Sequence, residues 1–171
     1  PHQWAKNVLV LVPLLAAHRV AEPTSIAAAL LAAMVFCLCA SSVYVLNDLL
    51  DLQADRIHPR KSKRPFAAGE LSILTGFSLA FGLLGAAFLL AMFLAAKFQL
   101  ALGTYYVLTL IYSIALKSIV LVDAITLACL YTLRIVAGAA AVGTPLSFWL
   151  LAFSVFLFLS LAFVKRFVEL D

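Results

Sequence analysis

Charge is what this sequence has least of: 12% of its 171 residues are charged, against 65% that are hydrophobic. A chain so poor in ionised side chains, with strongly positive mean hydropathy, falls outside the usual soluble class and reads as an integral membrane protein. Cysteine is scarce too. Cys37, Cys39 and Cys129 sit within apolar runs without polar ligand neighbours, which speaks against a disulfide framework or a metal site and for packing as small hydrophobes. The net charge of +4 suits anionic membrane lipids and gives no reason to invoke nucleic acid as a partner. Acidic residues number only eight, yet three of them, Asp48, Asp51 and Asp55, stand close together in "NDLLDLQAD".

Crossing a bilayer as a helix takes roughly 17–25 mainly apolar residues. Charge-free runs of that order occupy 24–46, 71–96, 98–116 and 146–164. A further run at 118–142 is interrupted by Asp123 and Arg134, and a shorter one within 4–21 should bend at Pro13. The expected fold is an all-α polytopic transmembrane bundle with six helices. Basic residues support that count. With six spans, the Lys6 end, the loop at 55–70, Lys117 and the end carrying Lys165 and Arg166 share one side and hold nine of the 12 lysines and arginines. Basic loops tend to stay cytoplasmic, which puts this side at the cytoplasmic face of a plasma membrane, most naturally a bacterial one. The chain opens on Pro1 without a methionine and stops at Asp171 just after an apolar run. Residues 1–171 are therefore expected to form a single membrane domain, truncated at its C-terminus and lacking its native N-terminus.

In a continuous helix, 100° per residue places Asp48, Asp51 and Asp55 within an arc of about 60° over roughly 10 Å of axis. Three like charges on one face at the end of an apolar run repel one another and call for a cation. Mg2+ suits the task, because it takes carboxylate oxygens, keeps several waters and completes its shell with substrate phosphate oxygens. Asn47 adds an amide oxygen. The expected metal ligands are Asn47, Asp48, Asp51 and Asp55, with the three aspartates also carrying the catalysis. The alternative is a solvated helix end paired with downstream basic residues, but pairing in water does not require three carboxylates in register.

Arg56, His58, Arg60, Lys61, Lys63 and Arg64 follow at once. A topology signal explains most of these charges, and His58, with no second histidine nearby, reads as a loop residue. Arg64 differs: Pro65 fixes the next backbone position and "RPFAAG" leads into the following helix, so a turn can return Arg64 to the site as a hydrogen-bond donor to phosphate oxygens. Asp123 and Arg134, eleven residues apart, face the same way on one helix at depths about 16 Å apart. Charges within a span are costly, so a substrate role is the default reading and a structural intramembrane pair the alternative. Tyr131 and Thr126 lie near that face. Lys6 and Asn7 before the first apolar run, Lys117 at a helix edge, and Lys165, Arg166 and Glu169 at the end of the last run complete the candidate substrate contacts. Snorkelling also explains Lys117, and Lys165 and Glu169 are spaced to pair on their own helix.

The stretch "NDLLDLQADRIHPRKSKRPFAAG" resembles the first aspartate-rich motif of the UbiA superfamily of intramembrane prenyltransferases. That resemblance implies a bundle of nine transmembrane helices, of which six would be present, and Mg2+-bound diphosphate at a cytoplasmic cap. It makes Asn47, Asp48, Asp51 and Asp55 the metal and diphosphate site and Arg64 and Lys117 diphosphate ligands. The family's second aspartate-rich motif has no full counterpart in "AFVKRFVELD", where only Glu169 and Asp171 are acidic. With "PHQWAKNVLVLVPLL", "YSIALK" and "YTLRIVAGAA", the chain looks like the branch containing decaprenyl-phosphate phosphoribosyltransferase. The implied reaction moves a phosphoribosyl group from phosphoribosyl diphosphate to a polyprenyl phosphate, so the partners are a diphosphate-bearing donor and a polyprenyl lipid. Asp123 and Arg134 would then line the chamber, and Lys165, Arg166 and Glu169 would touch the second substrate or close the cap.

Three rivals are distinguishable. A UbiA-type prenyltransferase would move a prenyl group from its diphosphate to an aromatic or quinone-precursor acceptor. A CDP-alcohol phosphotransferase needs DG and AR pairs between aspartates, and "NDLLDLQAD" has neither. A cation transporter or channel calls for acidic residues at mid-membrane depth on several helices, whereas only Asp123 lies within a span away from the cluster.

Overall fold

Runs that are apolar on every face satisfy their backbone groups only by closing helical hydrogen bonds, because lipid offers none. The computed structural model describes residues 2–116 and 119–170, apart from the side chains of residues 2, 3, 120, 165, 166, 169 and 170. All regular structure among the described residues is helical. A 3-10 segment, His2–Leu11, passes into α1 (Val12–Ala16), with Pro13 in the first turn where its missing N–H is no loss. There follow α2 (Pro23–Leu50), α3 (Leu52–Ile57), α4 (Ile73–Ala91), α5 (Ala96–Ile114), α6 (Val120–Val142) and α7 (Phe148–Leu170).

The central helix is α2. It packs along α4 and also meets α5, α6 and the N-terminal 3-10 segment, while α6 packs against α7 and α5. The Phe36 ring lies 5.9 Å from that of Phe98 and 5.0 Å from that of Tyr105, joining α2 to α5. Ser42 donates to the Ala80 carbonyl at 2.8 Å, fixing α2 to α4. Arg19 donates both to Glu22 Oε2 and to the Val142 carbonyl, each at 2.7 Å. One guanidinium thereby ties the start of α2 to the C-terminus of α6, where the helix dipole favours a cation. The same hydrogen bond, followed by one from Ser25, holds the Glu22 carboxyl below its ordinary range.

The expectation of six spanning helices out of nine is overturned. Among the described residues, three helices are long and apolar enough to cross a membrane: Pro23–Leu50, Ile73–Ala91 and Leu121–Val142. The first run is shortened because much of it winds as a 3-10 helix, and its apolar helical part, Trp4–Ala16, ends early. α5 has the length, but Lys97, Gln99, Thr104 and three tyrosines dilute its apolar character. The apolar part of α7, Phe148–Val164, is short as well. The fold is an all-α membrane-helix bundle of seven α-helices among the described residues, three of them of spanning type.

One contact fixes the N-terminal segment in this bundle. A Cβ on Gly138 would collide with the Val10 carbonyl oxygen, so α6 and the 3-10 segment approach as closely as they do only because residue 138 has no side chain. Gly138→Ala should force the two apart and destabilise the bundle by about 1–3 kcal/mol, the usual cost of overpacking. Thermal unfolding in detergent checks this, and an unchanged midpoint would contradict the close approach.

Candidate functional site

At 1.5 Å per residue, the 28 residues of α2 extend about 42 Å, more than a hydrocarbon layer of roughly 30 Å. The polar end therefore projects into the interface, carrying Asn47 and Asp48. The helix is nicked at Asp51, whose ψ of 6° separates α2 from α3. Backbone bonds from Asp51 N to the Asn47 carbonyl (2.9 Å) and from Asp55 N to the Asp51 carbonyl (2.8 Å) carry the four-residue register across the nick. Asp48 and Asp55 consequently remain on one side.

The basic loop folds back onto that side. Phe66 is buried, and a Cβ on Gly76 would lie 2.8 Å from its Cε1 and 2.9 Å from Leu49 Cδ2. The bare glycine near the start of α4 thus admits a wedge of Phe66 against α2, which returns Arg64 to the carboxylates. Arg64 Nη1 donates to Asp48 Oδ1 at 2.8 Å and to Asp55 Oδ2 at 2.7 Å. Lys61 Nζ stands 3.8 Å from Asp55 Oδ1. The Asp55 side chain is 2% exposed, whereas that of Arg64 is 40% exposed. His58 serves the loop, its Nδ1 accepting from the backbone N–H of Arg60 and, at longer range, of Lys61.

No group of three or more acidic, histidine or cysteine side chains among the described residues is gathered closely enough to hold a metal ion as it stands. The cation between Asp48 and Asp55 is Arg64 itself. The donor set nevertheless suits Mg2+, being all oxygen. Asn47 Oδ1 and Asp55 Oδ1 are buried and accept no hydrogen bond among the described residues, so acceptor capacity is in place. The two oxygens that share Nη1 are at most about 5.5 Å apart, since it lies 2.8 and 2.7 Å from them. Two ligands of one Mg2+ stand within about 4.2 Å of each other, so modest side-chain movement would suffice.

Deeper between α2, α5 and α6 lies a cavity of about 90 Å³ whose wall includes Lys6, Tyr44, Asn47, Tyr105, Tyr131 and Arg134. Asn47 links it to the neighbouring carboxylates. Arg134, 5% exposed, donates to Asn7 Oδ1 (3.1 Å), the Leu130 carbonyl (2.9 Å) and Tyr105 Oη (2.8 Å). Its guanidinium also lies 4.8 Å from the Tyr105 ring centre and 5.4 Å from that of Tyr131. An arginine within a span costs about 3 kcal/mol, which two cation–π contacts of roughly 0.5–2 kcal/mol each and three hydrogen bonds offset. Asp123, also buried, accepts from Tyr112 Oη at 2.6 Å.

Of the candidates read from sequence, Asp48, Asp55 and Arg64 meet directly, Asp51 sits at the nick between the two aspartates, and Asn7 meets Arg134. Asp123 and Arg134 both point inward on α6 but have different partners. Lys117 lies outside the described residues, as do the side chains of Lys165, Arg166 and Glu169. Sequence reasoning passed over Tyr105 and Tyr112. Their signal was a polar stripe on an apolar helix, Tyr105, Thr109 and Tyr112, at spacings i, i+4 and i+7.

Residues 8–171 match the model of the UbiA prenyltransferase family. The chain belongs to this family. This UbiA chain is 42% identical over 170 residues to nodulation protein NoeC of Azorhizobium caulinodans, covering 99% of the chain and 55% of NoeC. It is 37% identical over 180 residues to decaprenyl-phosphate phosphoribosyltransferase of Mycolicibacterium smegmatis, covering 100% of the chain and 55% of that enzyme. The chain spans between a third and somewhat over half of the length of the curated relatives it matches. Its fold is similar to the structure of a UbiA homologue from Archaeoglobus fulgidus bound to DMAPP and Mg2+, with a TM-score of 0.79, 21% identity, and coverage of 94% of this chain and 59% of that one.

Proposed function

We propose that this UbiA chain forms the donor-binding part of a Mg2+-dependent membrane transferase that moves a phosphoribosyl group from phosphoribosyl diphosphate to a polyprenyl phosphate at the cytoplasmic face of a bacterial membrane. The observation that carries the reading is the Asp48–Arg64–Asp55 bridge beside a cavity lined by Lys6 and Arg134. Carboxylate oxygens that suit a metal and cationic groups that suit phosphate stand side by side there, which supports the reading. The 37% identity to a decaprenyl-phosphate phosphoribosyltransferase over the whole chain favours the phosphoribosyl donor.

In this reading Asn47, Asp48, Asp51 and Asp55 hold Mg2+, which supplies charge neutralisation for the departing diphosphate. Arg64 turns from the carboxylates to the diphosphate oxygens, and Lys117 assists it. Lys6, Asn7, Asp123 and Arg134 line the chamber, and Lys165, Arg166 and Glu169 contact the second substrate. Catalysis is electrostatic: fixed cations stand where negative charge grows.

A second reading, transfer of a prenyl group to an aromatic acceptor, is favoured by the fold likeness to a homologue bound to DMAPP and Mg2+. Incubating the whole protein with labelled phosphoribosyl diphosphate and polyprenyl phosphate, and separately with prenyl diphosphate and aromatic acids, separates them. Labelled lipid is expected in the first incubation, and product from the second alone would replace the proposal with its rival.

A further inference from the structure

Arg134 is buried and charged, yet its hydrogen-bond partners among the described residues are all neutral: Asn7 Oδ1, the Leu130 carbonyl and Tyr105 Oη. A guanidinium carries five N–H donors, so two remain. Lys6 makes no hydrogen bond or ion pair among the described residues. Its ammonium lies 5.9 Å from the centre of the Tyr131 ring, and the Arg134 guanidinium lies 5.4 Å from the same ring. Both cations thus lie within 6 Å of one tyrosine ring and line a single cavity of about 90 Å³, which is room for several waters or one tetrahedral anion.

Two like charges on the wall of one cavity favour a ligand that neutralises both. A phosphate monoester does so: it is close to dianionic at pH 7, because its second pKa is about 6, and it presents three acceptor oxygens. We propose that this cavity seats a phosphate monoester, with Lys6 and Arg134 taking its oxygens, as an anion site separate from the Asp48–Asp55 pair. Asn47 lines the cavity and precedes Asp48, so the seated phosphate would adjoin the carboxylates. Two substrates of the proposed transfer carry such a group, the lipid acceptor and the 5-phosphate of the ribosyl donor. Naming its source rests on the phosphoribosyl-transfer reading, whereas the seat rests on the two cations.

The test is calorimetric titration of the whole protein in detergent, with EDTA present so that no metal contributes. Ribose 5-phosphate and geranyl phosphate are the probes, with ribose and geraniol as phosphate-free controls. At least one monophosphate is expected to bind where its control does not, and Lys6→Gln and Arg134→Gln should each weaken it about tenfold or more. Ribose 5-phosphate binding assigns the seat to the donor, and geranyl phosphate binding assigns it to the acceptor. Lys6→Gln keeps the experiment decisive if Arg134→Gln misfolds, because Lys6 is half-buried and holds no hydrogen bond among the described residues. Failure of both monophosphates to bind, or binding unchanged in Lys6→Gln, overturns the seat. A protein that binds a monophosphate but transfers no phosphoribosyl group keeps the seat and loses the proposed reaction, so the two failures are distinguishable.

Discussion

Asp55→Asn should lower phosphoribosyl transfer roughly a thousandfold while leaving a folded protein. A metal ion contributes several kcal/mol of charge stabilisation to such a transfer, and each 1.4 kcal/mol is a factor of ten in rate. Asparagine keeps an oxygen that can still accept from Arg64, so the loop remains attached. What it removes is the negative charge of the most deeply buried carboxylate in the cluster, 1% exposed as a residue. Turnover measured beside thermal unfolding checks this. A variant that unfolds at the wild-type temperature but turns over normally would remove Asp55 from the site.

Arg64→Gln should act in opposite directions on two ligands. Without diphosphate, a metal ion entering between Asp48 and Asp55 has to displace the guanidinium, which holds both at 2.8 and 2.7 Å. Charge-assisted hydrogen bonds contribute about 1.5–3 kcal/mol, and with the Arg64 side chain 40% exposed the solvent-screened value falls nearer 1 kcal/mol. Glutamine removes that competitor, so Mn2+ affinity, read by electron paramagnetic resonance, should rise roughly fivefold. Affinity for the diphosphate donor should fall, because the arginine is then missing from its oxygens. Equal loss of both affinities would mean that Arg64 merely supports the fold.

Parts of this arrangement were legible in the sequence for local reasons. A spacing of seven keeps Asp48 and Asp55 on one side of a helix, and the backbone ladder preserves that register across the nick at Asp51. Pro65 signalled a turn near Arg64, but the wedge of Phe66 against Leu49 and Gly76 depends on a tertiary fit that no local pattern displays. The pairing of Asn7 with Arg134 joins residues 127 apart, and nothing in either neighbourhood announces it. The span count failed for a related reason. Charge-free length does not reveal that the N-terminal run winds partly as a 3-10 helix, or that the tyrosine stripe of α5 faces a cavity. Two of the tyrosines that lower the hydropathy of α5, Tyr105 and Tyr112, line that cavity.

The most direct test of the carboxylate pair as the metal and diphosphate site is an anomalous difference map from crystals of the whole protein grown with Mn2+ and diphosphate. The expected result is a manganese peak between Asp48 and Asp55, with Arg64 swung onto the diphosphate oxygens. A peak elsewhere, with the Asp48–Arg64–Asp55 bridge intact, would contradict it.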